Sequence, residues 1–181
     1  MNVTIISGSQ NPNSLTYRAV LHLEDSLKKD LPEANICIID VRSHPIPLDS
    51  AVYKNDGSAP QEFHELIDII YNTDSFIMVS PEYNGSYTPA LKNLLNHFPR
   101  LNHKPVGIVS ATDGRLGGMR GAQQMQLMVI AHFGIPLATM LLIPQIHLKF
   151  DETGQLLDPH FEKPIRQFID EFCWISRKFE S

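Results

Sequence analysis

Five short runs, at residues 3–6, 36–39, 76–79, 106–109 and 140–143, are almost wholly apolar. Strands covered by helices on both faces read this way, because no position meets water. Between these runs the apolar positions recur at helical spacing. Leu15, Ala19, Leu23 and Leu27 return every four residues, and Phe63, Leu66, Ile67 and Ile70 follow the i, i+3, i+4, i+7 rule. Leu91, Leu94, Leu95 and Phe98 form a third stripe, with Thr88 as cap and Pro89 at the first helical position. Met119, Ala122, Met125, Val129 and Phe133 form a fourth, stopped by Gly134 and Pro136. Ile165, Phe168, Ile169, Phe172 and Ile175 form the last.

Strand and helix thus alternate along the chain, which predicts a doubly wound α/β fold with right-handed crossovers. We expect five parallel strands in the flavodoxin-like order 2-1-3-4-5, within a single domain over residues 1–181. Two segments exceed that minimum. Residues 41–59, with Pro45, Pro47 and Asp56-Gly57, make a long loop. Residues 147–157 suit a small hairpin turning at Asp151-Glu152-Thr153-Gly154.

Ligands of such sheets bind outside the carboxyl ends of the strands, at the switch in strand order. Three loops fall there. The first, residues 7–14, ends the first strand and opens a helix, where free amides and the helix dipole favour an anion. Ser9, Ser14 and Thr16 add hydroxyl donors around one phosphate. The second holds Pro81-Glu82-Tyr83-Asn84-Gly85-Ser86. Asn84-Gly85 permits positive φ and close backbone approach, and Tyr83 offers an apolar flank. The third, residues 110–118, brings Ser110, Gly114 and Gly118 to the next strand end. Its amides suit ring carbonyls on which negative charge develops. Together the loops suit one elongated ligand, a flat aromatic ring with a phosphate tail.

Composition narrows the partners. A net charge of −5 without a run of lysine or arginine leaves no footprint for nucleic acid. No apolar run approaches the ~20 residues that span a bilayer, so we expect no membrane insertion. The N-terminus lacks a secretory pattern, and Cys37 and Cys173 read as two reduced thiols, which suits a cytoplasmic protein. The histidines (His22, His44, His64, His97, His103, His132, His147 and His160) show no ligand-spaced pair, so no metal is expected. Walker, Gly-x-Gly-x-x-Gly and Gly-x-Ser-x-Gly patterns are absent.

These residues resemble the NADPH-dependent FMN reductase family of flavodoxin-like proteins. Gly8-Ser9 with Ser14 resembles its phosphate loop. Residues 81–86 followed by Pro89-Ala90-Leu91-Lys92-Asn93 resemble its most specific signature, and residues 110–118 with Arg120 its glycine-rich segment. The resemblance implies a flavoprotein oxidoreductase with bound FMN, reduced by NADPH or NADH. A small acceptor such as a quinone, free flavin, azo dye or metal oxyanion would reoxidise it. It implies that Ser9, Asn11, Ser14, Leu15 and Thr16 hold the phosphate. Pro81, Glu82, Tyr83, Asn84 and Gly85 would flank one side of the ring, and Ser110, Asp113, Gly114 and Gly118 the other. Many members carry arginine where this chain has Asn11, which leaves Arg18 as the nearby cation. Hydride transfer needs no side-chain acid or base, so no catalytic residue is named. Members commonly pair, which implies a homodimer or homotetramer. Two other readings stay open: a flavodoxin-like electron carrier, and a non-redox nucleotide-processing enzyme whose only obvious nucleophile is Glu82.

Overall fold

The structure, a computed structural model, describes residues 1–48, 51–53, 59–99 and 101–179. Asp56 and Gly57 of the long loop lie outside them. The elements run β1 (Asn2–Ser7), α1 (Thr16–Asp30), β2 (Asn35–Asp40), α2 (His64–Asn72), β3 (Ser75–Ser80), α3 (Pro89–His97), β4 (Pro105–Ala111), α4 (Met119–Ala131), β5 (Ile135–Pro136), β6 (Leu141–Ile143) and α5 (Glu162–Lys178). All strand pairings are parallel, in the order β2-β1-β3-β4-β5, with β6 also on β4. The expected α/β order is therefore the observed one.

β3 and β4 are buried along their whole length, including Ser75, Ser80 and Ser110. One core packs α1 and α5 against the sheet, and the other packs α2, α3 and α4 on the opposite face. Gly107, within β4, makes room for α5: a Cβ there would meet the Phe168 ring at 2.7 Å. Phe168 is fully buried, a burial that contributes about 1.5–3 kcal/mol.

The fifth strand position differs from expectation. One run at residues 140–143 is replaced by two pieces, β5 on Pro105–Val106 and β6 on Val109–Ala111. At the break, the amides of Ala138 and Thr139 donate to Glu171 Oε1 of α5 at 3.1 and 3.3 Å. A side chain thus supplies the acceptor that a continuous ladder would have provided.

The fourth helical stripe also needs correction. Met119 and Phe133 are exposed, and α4 buries Gly121, Ala122, Met125, Met128 and Val129 instead. The helix ends in a Schellman pattern, with Phe133 N–H on Ile130 O at 3.0 Å and Gly134 N–H on Val129 O at 2.9 Å. Phe133, not Gly134, takes the left-handed position, at φ 59°. Gly134 is needed for space, since a Cβ there would lie 2.8 Å from the Val129 side chain.

The expected hairpin is present. Phe150 bridges Leu156, and Asp151 Oδ1 accepts from the amides of Thr153 and Gln155. Cys37 is half-buried and Cys173 buried, both as free thiols. Among the described residues, no helix is long and apolar enough to cross a membrane.

Candidate functional site

β1, β3 and β4 are neighbours, so the loops that leave their carboxyl ends meet on one edge. Hydrogen bonds to the Gly8 main chain fasten them together. Gly8 N–H donates to Val79 O at 2.8 Å, and the Thr88 hydroxyl donates to Gly8 O. The same Thr88 caps α3 by accepting from Leu91 N–H, so one hydroxyl ties the first loop to the helix behind the second. Gly8 has no space for a side chain: a Cβ would lie 3.1 Å from both Leu91 and Val79 O.

The first loop presents donors with little to receive them. Helix α1 has no side-chain cap. Among the described residues no acceptor lies on the Leu15 or Thr16 amide, the first helical contacts being Tyr17 N–H to Ser14 O and Arg18 N–H to Leu15 O. Among the described residues, four buried side-chain oxygens lack partners, and two of them, Ser7 Oγ and Ser14 Oγ, belong to this loop. Ser9 and Thr16 are buried beside them. Asn11 folds back on its own loop, its side-chain Oδ1 accepting from Asn13 N–H at 2.9 Å. A pocket of unpaired donors at a helix start is what an anion satisfies.

Arg18 does not serve this loop. Its Nη1 donates to Phe150 O at 3.0 Å, and Nη2 lies 3.9 Å from Glu152. The hairpin at residues 147–157, itself seated on α1, takes that guanidinium. The cation beside the first loop is Arg42, from the segment after β2, whose Nη1 donates to Pro12 O at 3.3 Å. Sequence alone gave no reason to place Arg42 there, because the contact depends on β2 lying next to β1.

The second loop closes on itself. Tyr83 and Ser86 pair through two main-chain bonds of 2.7 and 3.0 Å. Asn84 and Gly85 between them take φ 52° and 82°, the type I′ combination. Among the described residues, and apart from its two chain neighbours, none comes within 4 Å of a Cβ built on Gly85. Its glycine is required by backbone conformation and faces open space. Tyr83 is exposed beside it and Pro81 half-buried.

Glu82 is placed differently from its neighbours. Its carboxylate accepts from Arg120 Nε at 2.8 Å and from the amides of Arg120 and Gly121 at 3.1 and 3.2 Å. The side chain caps α4 and joins the second loop to the third.

In the third loop Ser110 Oγ donates to Ser80 O at 3.1 Å. Gly118 sits at φ 78°, and a Cβ there would lie 2.1 Å from Ser110 Oγ. Gly114 is exposed, with only Thr112 Oγ1 near, at 3.7 Å. Asp113 points to His147, whose Nδ1 lies 2.9 Å from its carboxylate. Gln145 N–H to Gly114 O and Ile146 N–H to Thr112 O bring that histidine in. Sequence reading missed His147, since its partner depends on the chain reversing after β6.

The chain is 29% identical over 176 residues to an NADPH:quinone oxidoreductase of Arabidopsis thaliana, covering 93% of this chain and 88% of the relative. It is 28% identical over 180 residues to an FMN-dependent NADPH-azoreductase of Staphylococcus aureus, covering 94% and 93%. The fold matches FerB, a flavoenzyme NAD(P)H:(acceptor) oxidoreductase from Paracoccus denitrificans, with a TM-score of 0.81 over 98% of each chain at 20% identity. Residues 1–147 match the family described as NADPH-dependent FMN reductase, and the chain belongs to that family.

Proposed function

We propose that this protein is an FMN-dependent NAD(P)H oxidoreductase that passes reducing equivalents to a small acceptor such as a quinone, an azo compound or free flavin. The observation that carries the reading is the partnerless, buried Ser14 hydroxyl beside the open amides of Leu15 and Thr16. FMN, when bound, supplies the hydride chemistry, and the chain supplies position and electrostatics.

In this reading Ser9, Ser14, Leu15 and Thr16 receive the phosphate, with Asn11 holding the loop's shape. Tyr83, Asn84 and Gly85 form the shelf under the ring, with Pro81 behind them. The amides near Gly114 and Gly118 face the ring's polar edge, where negative charge on reduction is stabilised by preorganised donors. Ser110 braces that segment through Ser80, and Asp113 holds His147 beside it. Glu82 contributes by fixing α4. With its carboxylate engaged there, the non-redox reading loses its nucleophile. The acceptors of the relatives, quinone and azo compound, are the classes we assign to this chain.

We also read the protein as a cytoplasmic homodimer. Its two thiols are free, in keeping with a reducing compartment. Helix α4 carries Arg120 as its only charge over 13 residues and exposes Leu127 (60%) and Ile130 (55%), with Phe133 (70%) just beyond. An apolar face of this kind suits self-association.

Steady-state oxidation of NADPH, with a soluble quinone and with an azo dye as acceptors, tests the activity. The reading expects turnover that rises with added FMN. Absence of NADPH oxidation with either acceptor by FMN-saturated protein would contradict it.

A further inference from the structure

A cavity of about 560 Å³ opens beside the first loop, between the segment after β2 and the first turn of α3. That volume is ordinary for a ligand site. Its described walls carry Arg42 and His44 and no carboxylate, in a chain whose net charge is −5. Apolar groups, among them Val41, Ile46 and Pro89, supply the rest of the surface. An anion attached to a flat apolar body matches both features.

Arg42 is held in place before any ligand arrives. Its Nε lies 2.9 and 3.0 Å from the two Asp40 oxygens, and its guanidinium stands 4.5 Å over the Tyr17 ring. Nη1 reaches Pro12 O, and of the five guanidinium N–H groups some remain for a further acceptor. A cation fixed this way loses little freedom on binding.

The cavity is within reach of the candidate ring shelf. Pro89 lines it, and the four Cα–Cα steps from Gly85 to Pro89 span at most about 14 Å. One extended dinucleotide covers that distance, whereas a small acceptor does not.

We propose that this cavity is the subsite for the 2′-phosphorylated adenosine half of NADPH, and that Arg42 is the residue that separates NADPH from NADH. The assignment rests on the function proposed above. It is tested by calorimetric titration of the flavin-loaded protein with adenosine 2′,5′-bisphosphate and with 5′-AMP, without turnover. The bisphosphate binds at least tenfold more tightly than 5′-AMP. Arg42→Gln loses that preference while flavin absorbance per chain stays unchanged. Leu48→Glu, which places a negative charge in the cavity wall and leaves the Asp40–Arg42 pair intact, weakens the bisphosphate likewise and decides the matter should Arg42→Gln fold poorly. Equal binding of the two nucleotides, or a preference that survives both substitutions, overturns the proposal. So does loss of flavin from a folded Arg42→Gln, which would assign the arginine to the flavin phosphate. A chain that takes up no flavin contradicts the function itself, whereas the nucleotide titration tests the cavity alone.

Discussion

Glu82 and Arg120 hold the second and third loops together. Glu82 Oε1 lies 2.8 Å from Arg120 Nε and 2.7 Å from Nη2, and Oε2 takes the Arg120 and Gly121 amides. Arg120 is largely exposed, so the ion pair itself contributes little. The carboxylate's grip on the first turn of α4 is the larger effect. Glu82→Ala should cost about 1–2 kcal/mol, the range of a lost cap. A lowered midpoint in urea with unchanged slope is the expected result. Glu82→Gln should keep NADPH oxidation measurable, because no covalent role is assigned to the carboxylate.

Gly118→Ala should be more damaging than its size suggests. The new Cβ meets Ser110 Oγ at 2.1 Å, in a backbone conformation that disfavours side chains. We expect a loss of more than ~1 kcal/mol. Combining it with Ser110→Ala should recover part of that loss, since the closest clash is then removed. Denaturation of the two single variants and the double variant measures the coupling. Strict additivity would place the cost in the backbone alone.

Ser14→Asp should weaken FMN binding at least tenfold by putting charge against the phosphate. Ser14→Ala should be milder, because it removes a hydroxyl that has no partner among the described residues. Fluorescence quenching of added FMN gives both affinities. Gly85→Val probes the opposite end of the site. It places a side chain into the open face at φ 82°, so flavin affinity should fall while the cores, remote from that turn, stay intact.

Burial pushes the Cys173 thiol up to about 11. The folded state therefore holds this proton more tightly than the unfolded chain does. The resulting stability is fully present below pH 9 and is lost as pH rises from about 9 through 11. At pH 8 a thiol reagent should modify half-buried Cys37 well before Cys173. Rapid labelling of both would contradict the burial.

Leu127→Glu should yield a monomer by sedimentation if the α4 face pairs two copies, with helix content unchanged. An unaltered assembly would move the interface elsewhere.

Much of the frame was legible because it rests on local pattern. Apolar runs and helical stripes mark strands and helices without reference to distant residues, and the glycines at 8, 85 and 118 mark where the chain turns at the strand ends. What escaped depends on distant contacts. The split between β5 and β6 reflects Glu171 on α5 capturing two amides. Phe133 in a left-handed position breaks the rule that glycine fills it. That Arg42 and not Arg18 borders the first loop follows from β2 lying beside β1 and from a hairpin that claims Arg18. Glu82 reads as a ring-site residue by its place in the signature, and only the position of α4 reveals what its carboxylate touches.

The most direct measurement is an anaerobic absorbance titration of the purified protein with FMN, followed by NADPH. The account predicts uptake of one flavin per chain and bleaching of its visible band by NADPH. A folded protein that takes up no flavin, or holds flavin that neither NADPH nor NADH can bleach, would contradict it.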